Sequence, residues 1–100
     1  MTTITQAMLQ NKIDYLNKIT NSPKVSYVRD GEKFTAQIGN FNLYQAYGAY
    51  GLHRMVNEGG GVTDRYINGL HTKRELFGLL SALIDGFELE EKHLESEAAK

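Results

Sequence analysis

The chain has 100 residues, of which 41% are apolar and 23% charged, with a formal net charge of −1. That length suits one domain with one core, and the apolar share is that of a globular chain, which excludes global disorder. The absence of cysteine excludes a disulfide framework, thiolate metal sites and cysteine-based catalysis.

Thr3 to Thr20 reads as a helix. Met8, Tyr15 and Ile19 form one stripe and Leu9, Ile13 and Leu16 a second beside it, together one broad apolar face at the 3.6-residue period. Asn21-Ser22-Pro23 ends it, because proline disfavours helical geometry at the residue before it and has no N–H of its own. A hairpin follows. Val25, Tyr27 and Arg29 alternate with Ser26 and Val28, and Asp30-Gly31 suits a two-residue turn that tolerates positive φ. The return strand puts Phe34, Ala36 and Ile38 on one sheet face.

Gly39-Asn40 marks a turn or a bulge, after which Phe41 and Leu43 resume the alternation. Tyr44 to Gly51 is ambiguous between bent strand and irregular chain, since its two glycines weaken a helix and permit close backbone approach. Ala49 to Val56 is read as a third strand, Asn57 to Gly61 as a loop, Val62 to Ile67 as a short fourth strand, and Asn68-Gly69 as a turn. Thr72-Lys73-Arg74-Glu75 fits a capping box. Leu76, Leu80, Leu83 and Phe87 then form a helical stripe, widened by Phe77 and Ile84, with Gly86 marking the end of its packed part.

The order α-β-β-β-(β)-α predicts an α+β fold: a three- to four-stranded antiparallel sheet with the N- and C-terminal helices packed on one face. A two-helix bundle carrying a long β-arm is the alternative. Residues 1–88 make the single domain, and 89–100 an acidic C-terminal helix extension or frayed tail. No apolar run approaches the roughly 18 residues of a membrane span, and the start of the chain has no signal-peptide character. The expectation is a cytoplasmic protein, in the host cytoplasm if viral, with no membrane partner.

No nucleophile context, metal-ligand spacing or cofactor motif stands out, so the reading is a non-enzyme with no catalytic residues, no metal and no cofactor. The candidate partner- or ligand-binding residues fall in three places. Tyr47 and Tyr50 lie beside glycines that leave their rings open to a partner, although sheet or core aromatics are the ordinary reading. His53, Arg54 and the loop Gly59-Gly60-Gly61 offer positive charge and bare N–H groups that suit a phosphate, although a flexible turn is the ordinary reading. As a working loop it predicts that alanine at Gly60 leaves stability nearly unchanged while weakening binding. His71, Lys73 and Arg74 stand at a helix N-terminus, where an anion is favoured and where cations are slightly unfavourable for the helix itself.

Ile38-Gly-Asn-Phe41, Ala46-Tyr-Gly48, Leu52-His-Arg-Met-Val-Asn-Glu-Gly-Gly-Gly-Val62 and Lys73-Arg-Glu-Leu76 resemble small proteins of tailed phages and prophages, over about half the chain. The resemblance implies an accessory protein that acts by binding: an inhibitor of a host protein or defence system, or a protein that captures a nucleotide-like ligand. The α-β-β-β-α order also resembles the double-stranded-RNA-binding domain, in which basic residues at the start of the last helix meet phosphates. Lys73 and Arg74 fall in that place, although that family's third lysine is Glu75 here. This second resemblance implies a nucleic acid as partner. Residues 24–74 hold seven Lys or Arg against four Asp or Glu, while residues 86–100 hold five glutamates against two lysines. A core this small also invites a homo-oligomer.

Overall fold

The computed structural model describes residues 3–98, with side chains described for residues 3–90. It is an α+β fold with a helix at each end: α1 (Gln6–Ile19), β1 (Tyr27–Asp30), β2 (Lys33–Ala36), β3 (Phe41–Ala46), β4 (Ala49–Met55), β5 (Val62–Thr63) and α2 (Lys73–Ala98). The strands form a separate β1–β2 hairpin and an antiparallel sheet of order β3–β4–β5, rather than the single sheet expected.

Thr5 caps α1. Its hydroxyl accepts from the Met8 N–H at 3.2 Å, and its own N–H points at the Met8 sulfur at 3.5 Å, so a thioether takes the place of the usual Glu or Gln. Of the two stripes on this helix, Leu9, Ile13 and Leu16 are fully buried, whereas Tyr15 is exposed. On α2 the buried line is Leu76, Leu80 and Ile84. Leu83 and Phe87, expected at its centre, pack on its flank. The helix continues through Gly86, which meets no neighbour that would require a bare Cα.

The β1–β2 turn is Gly31-Glu32 rather than Asp30-Gly31. Asp30 pairs with Lys33, and positive φ is needed only at Gly31 (+64°), the first central position of a II′ turn. Only Ala36 of the predicted face is buried; Phe34 is 66% and Ile38 55% exposed. The hairpin is therefore an arm, as in the alternative reading, because it lies outside the layer that the helices cover.

Gly39 and Asn40 form a bulge. The Gly39 N–H donates to Met55 O at 2.8 Å and the Met55 N–H to Asn40 O at 2.9 Å, so two residues oppose one, with Gly39 at φ +94°. The ambiguous stretch resolves into a tight hairpin. Ala46 pairs with Ala49 across Tyr47 (φ +54°) and Gly48 (φ +74°), and two positive φ values are what a I′ turn requires. Phe41 to Ala46 is thus a strand of its own. β5 stops at Thr63, short of the predicted Ile67, because Tyr66 and Ile67 turn into the core: Tyr66 meets Phe41 edge-on with centroids 5.3 Å apart. The chain then returns to the sheet edge, where His71 exchanges both backbone hydrogen bonds with Tyr50 at 2.7 and 2.8 Å.

The core lies between the two helices and one face of β3 and β4, with Phe41, Tyr50 and Leu52 meeting Leu9, Ile13, Leu16, Leu76, Leu80 and Ile84. Burying each such leucine or phenylalanine contributes roughly 1.5–3 kcal/mol. The buried Asn17 amide donates to Phe41 O at 2.9 Å and accepts from the Phe41 N–H at 2.8 Å, fastening α1 to the outer edge of β3. Contacts along the helices pair Ile4 with Lys73 around one cavity, Lys12 with Phe77, and Tyr15 with Glu88. α1 and α2 therefore run in the same direction, with their N-termini at one end of the molecule. Among the described residues no helix is long and apolar enough to cross a membrane.

Candidate ligand-binding site

Three elements meet at that end: the starts of α1 and α2, and the β3–β4 turn. β3 runs antiparallel to α1, since Phe41 is fastened to Asn17 while Gly48 lies near Ile4. A cavity of about 500 Å³ opens between them, lined by Thr3 and Ile4, by Gly48 and Tyr50, and by Thr72, Lys73 and Arg74. Both adjacent helix starts present positive backbone ends.

Tyr50 forms part of the wall. It is 8% exposed, and Lys73 Nζ lies 5.6 Å from the centre of its ring. Its hydroxyl has no hydrogen-bond partner among the described residues and is not sealed from solvent. Tyr47, one residue from Gly48, is 100% exposed in left-handed backbone geometry. An L-residue other than Asn or Asp rarely adopts that conformation, and it costs of order 1–3 kcal/mol. A large ring held out in water at a strained turn tip is unusual on both counts.

The capping box at α2 is formed as its sequence predicts. The Glu75 N–H donates to Thr72 Oγ1 at 3.2 Å, and the Thr72 N–H points at Glu75 Oε1 at 3.4 Å. The Thr72 hydroxyl first, then its N–H and the nearby His71, hold the Glu75 carboxyl below its ordinary range. This fixes the first turn of α2, and so the positions from which Lys73 and Arg74 leave the helix.

The remaining candidates lie elsewhere. His71 Nε2 is 2.8 Å from Asn68 O, its Nδ1 is 3.8 Å from Glu75 Oε2, and it lines a second cavity with Tyr66 and Leu79. His53 stacks on Tyr44 with centroids 4.1 Å apart. Arg54 is committed to the fold. Its guanidinium donates to Gly39 O at 3.0 Å and to the Tyr66 hydroxyl at 2.7 Å, and lies 4.5 Å from the Phe41 ring centre.

Two of the three N–H groups of Gly59-Gly60-Gly61 are taken up within the loop rather than left for a phosphate. The Gly61 N–H donates to Asn57 Oδ1 at 2.9 Å, the Gly60 N–H to Asn57 O at 3.3 Å, and Glu58 O accepts from the Ala36 N–H at 3.2 Å. Gly60 sits at φ +95°, and a Cβ there would lie 2.8 Å from the Tyr27 hydroxyl. The loop joins the arm to the sheet, and alanine at Gly60 is not neutral there.

Tyr47, Tyr50, Lys73 and Arg74 thus gather at one end; the His71 backbone joins them by pairing with Tyr50 while its side chain lines the second cavity, and His53, Arg54 and the triple glycine lie away from them. Sequence reasoning missed Thr3, Ile4 and Gly48. Gly48 had a signal, the turn-forming Tyr-Gly dipeptide, which tyrosine at the first turn position obscured. Comparison with protein-family models, curated proteins and solved structures finds no match to this chain.

Proposed function

We propose that this protein acts by binding rather than by catalysis, and that it captures a small phosphorylated, nucleotide-like ligand in the cavity at the paired helix starts. The observation that carries this reading is the nine-tenths-buried Tyr50, whose hydroxyl has no partner among the described residues, in the wall of a cavity that Lys73 and Arg74 also line. A phosphate monoester suits this set. Its oxygens accept from the ammonium, the guanidinium and the phenol, and the helix starts add favourable partial charge. Tyr47, at the rim, offers its exposed face to the flat base of a nucleotide. On the sequence resemblance to phage accessory proteins, this reading has the capture withhold a ligand in a host cytoplasm or block the host protein that uses it.

Duplex nucleic acid is the second reading, favoured by Lys73 and Arg74 at the start of the last of two parallel helices. It is weakened by Arg54, whose charge is turned into the core. Titration calorimetry with a nucleoside monophosphate, inorganic phosphate and a short RNA duplex separates these readings. The expected result is saturable binding of the monophosphate, weakened at least about tenfold in Lys73→Ala/Arg74→Ala, since each charge-assisted hydrogen bond contributes about 1.5–3 kcal/mol. Preference for the duplex, with affinity falling steeply as salt rises, would replace this reading by the second. No binding of any of the three would overturn both.

A further inference from the structure

The arm at the other end of the molecule carries an interaction surface. Within the hairpin, the Gln37 N–H donates to Ser26 O at 2.8 Å, while the Ala36 N–H turns outward to Glu58 O at 3.2 Å. Antiparallel ladders alternate. With the register Tyr27↔Ala36, Val28↔Thr35 and Arg29↔Phe34, Val28 therefore bonds inward to β2, and the backbone N–H and C=O of Tyr27 and Arg29 point away from it. Among the described residues nothing bonds to those four groups. The loop at Glu58 occupies one end of the outer side of β2, through the Ala36 N–H, whereas β1 is open along its whole outer side.

The side chains on this edge are also uncovered. Tyr27 and Val28 on β1, Phe34 on β2, and Val25 and Ile38 just outside the two strands are all exposed apolar groups. A two-stranded hairpin is marginal on its own in water, and three or more strands are needed for independent stability. An open edge with exposed apolar neighbours is a template for another strand.

We propose that the occupant is a second copy of this chain, joined through β1 edge to edge about a two-fold axis at Val28, so that two hairpins become one four-stranded sheet. Of the symmetric registers that use the outward groups, this one pairs Tyr27 with Arg29 of the other copy twice, forming four backbone hydrogen bonds. Each pair sets a guanidinium beside an aromatic ring. A shift by one residue about Arg29 would instead oppose two arginines, which is unfavourable. On the other face Val28 meets Val28 of the second copy. Because its own N–H and C=O bond inward, that pair is of the non-hydrogen-bonded kind, with Cα atoms about 4.5 Å apart. The arm leaves from the end opposite the ligand cavity, so this assembly neither needs nor blocks the proposed ligand.

A chain without cysteine allows a direct test. Val28→Cys puts the two Cα atoms at a separation within the disulfide range of about 4.4–6.8 Å, while Thr35→Cys, one strand further in, does not. Val28 is 45% exposed, so folding tolerates both Val28→Cys and Val28→Lys. Expected are sedimentation of the unmodified chain at twice the monomer mass, near-complete covalent dimer from Val28→Cys under mild oxidation with little from Thr35→Cys, and halving of the mass in Val28→Lys with an unchanged circular dichroism spectrum. A monomer at all concentrations, or equal cross-linking of the two cysteine variants, would overturn the proposal. So would a Val28→Lys variant that stays folded and dimeric.

Discussion

Asn17 does the work of a short strand from within a helix. Its amide supplies one donor and one acceptor to the backbone of Phe41, at an edge where those groups are sealed from water. Asn17→Leu keeps the volume and removes both partners, leaving two buried polar groups unmade. Each costs about 1–3 kcal/mol, so a loss of about 2–6 kcal/mol is expected in a denaturant titration, and a loss below about 0.5 kcal/mol would show that the edge finds other partners. Nothing in the sequence marks this residue, because an asparagine on a helix reads as polar surface until the strand beside it is known. Gly60 makes the converse case. Its triple-glycine context reads as slack chain, yet its left-handed φ strains any residue with a Cβ, which would also push the Tyr27 hydroxyl aside. Gly60→Ala is expected to cost at least about 1 kcal/mol of stability, whereas Gly59→Ala, with negative φ and only ordinary contact, costs little; equal melting temperatures for the two variants would contradict this.

Elements show where local signals suffice. The capping box at Thr72, the inner stripe Leu9, Ile13 and Leu16 of α1, and the existence of the first hairpin, though not its turn, were legible, because each is set by residues within a few positions of one another; the stripe read on α2 shares only Leu76 and Leu80 with its buried line. The loss of Phe34 and Ile38 from the core was not, since alternation places side chains on a common face but does not say whether another layer covers it. Nor was the return of His71 to the edge of β4, which depends on Tyr66 and Ile67 first finding the core. The cap also sets a pH dependence. Glu75 has a carboxyl pKa lowered by its Thr72 partners, so its contribution is present above the unfolded value of about 4.3 and is lost as pH falls through the folded one. Melting curves of the parent chain and Glu75→Ala should therefore differ at neutral pH and draw together in acid; a gap that stays constant down to pH 2 would argue that the carboxylate plays no part.

At the scale of the molecule, the parallel course of the two helices is what creates a site. Had α2 run against α1, one start would face the other's end, and the positive ends that flank Tyr50 and Lys73 would be separated by the length of a helix. That direction follows from the return of residues 64–71 along the edge of β4, a long-range event with no local signature, so the sequence could nominate Tyr50, Lys73 and Arg74 but not unite them with Gly48 and Ile4. The arm lies at the far end, so the proposed ligand capture and the proposed self-association can be tested separately. The most direct measurement of ligand capture is the backbone amide spectrum of the labelled protein titrated with a nucleoside monophosphate. Shifts confined to residues 3–5, 47–50 and 72–75, saturating together, are the predicted result. Shifts centred on residues 57–61, or none at all, would contradict the site at the helix starts.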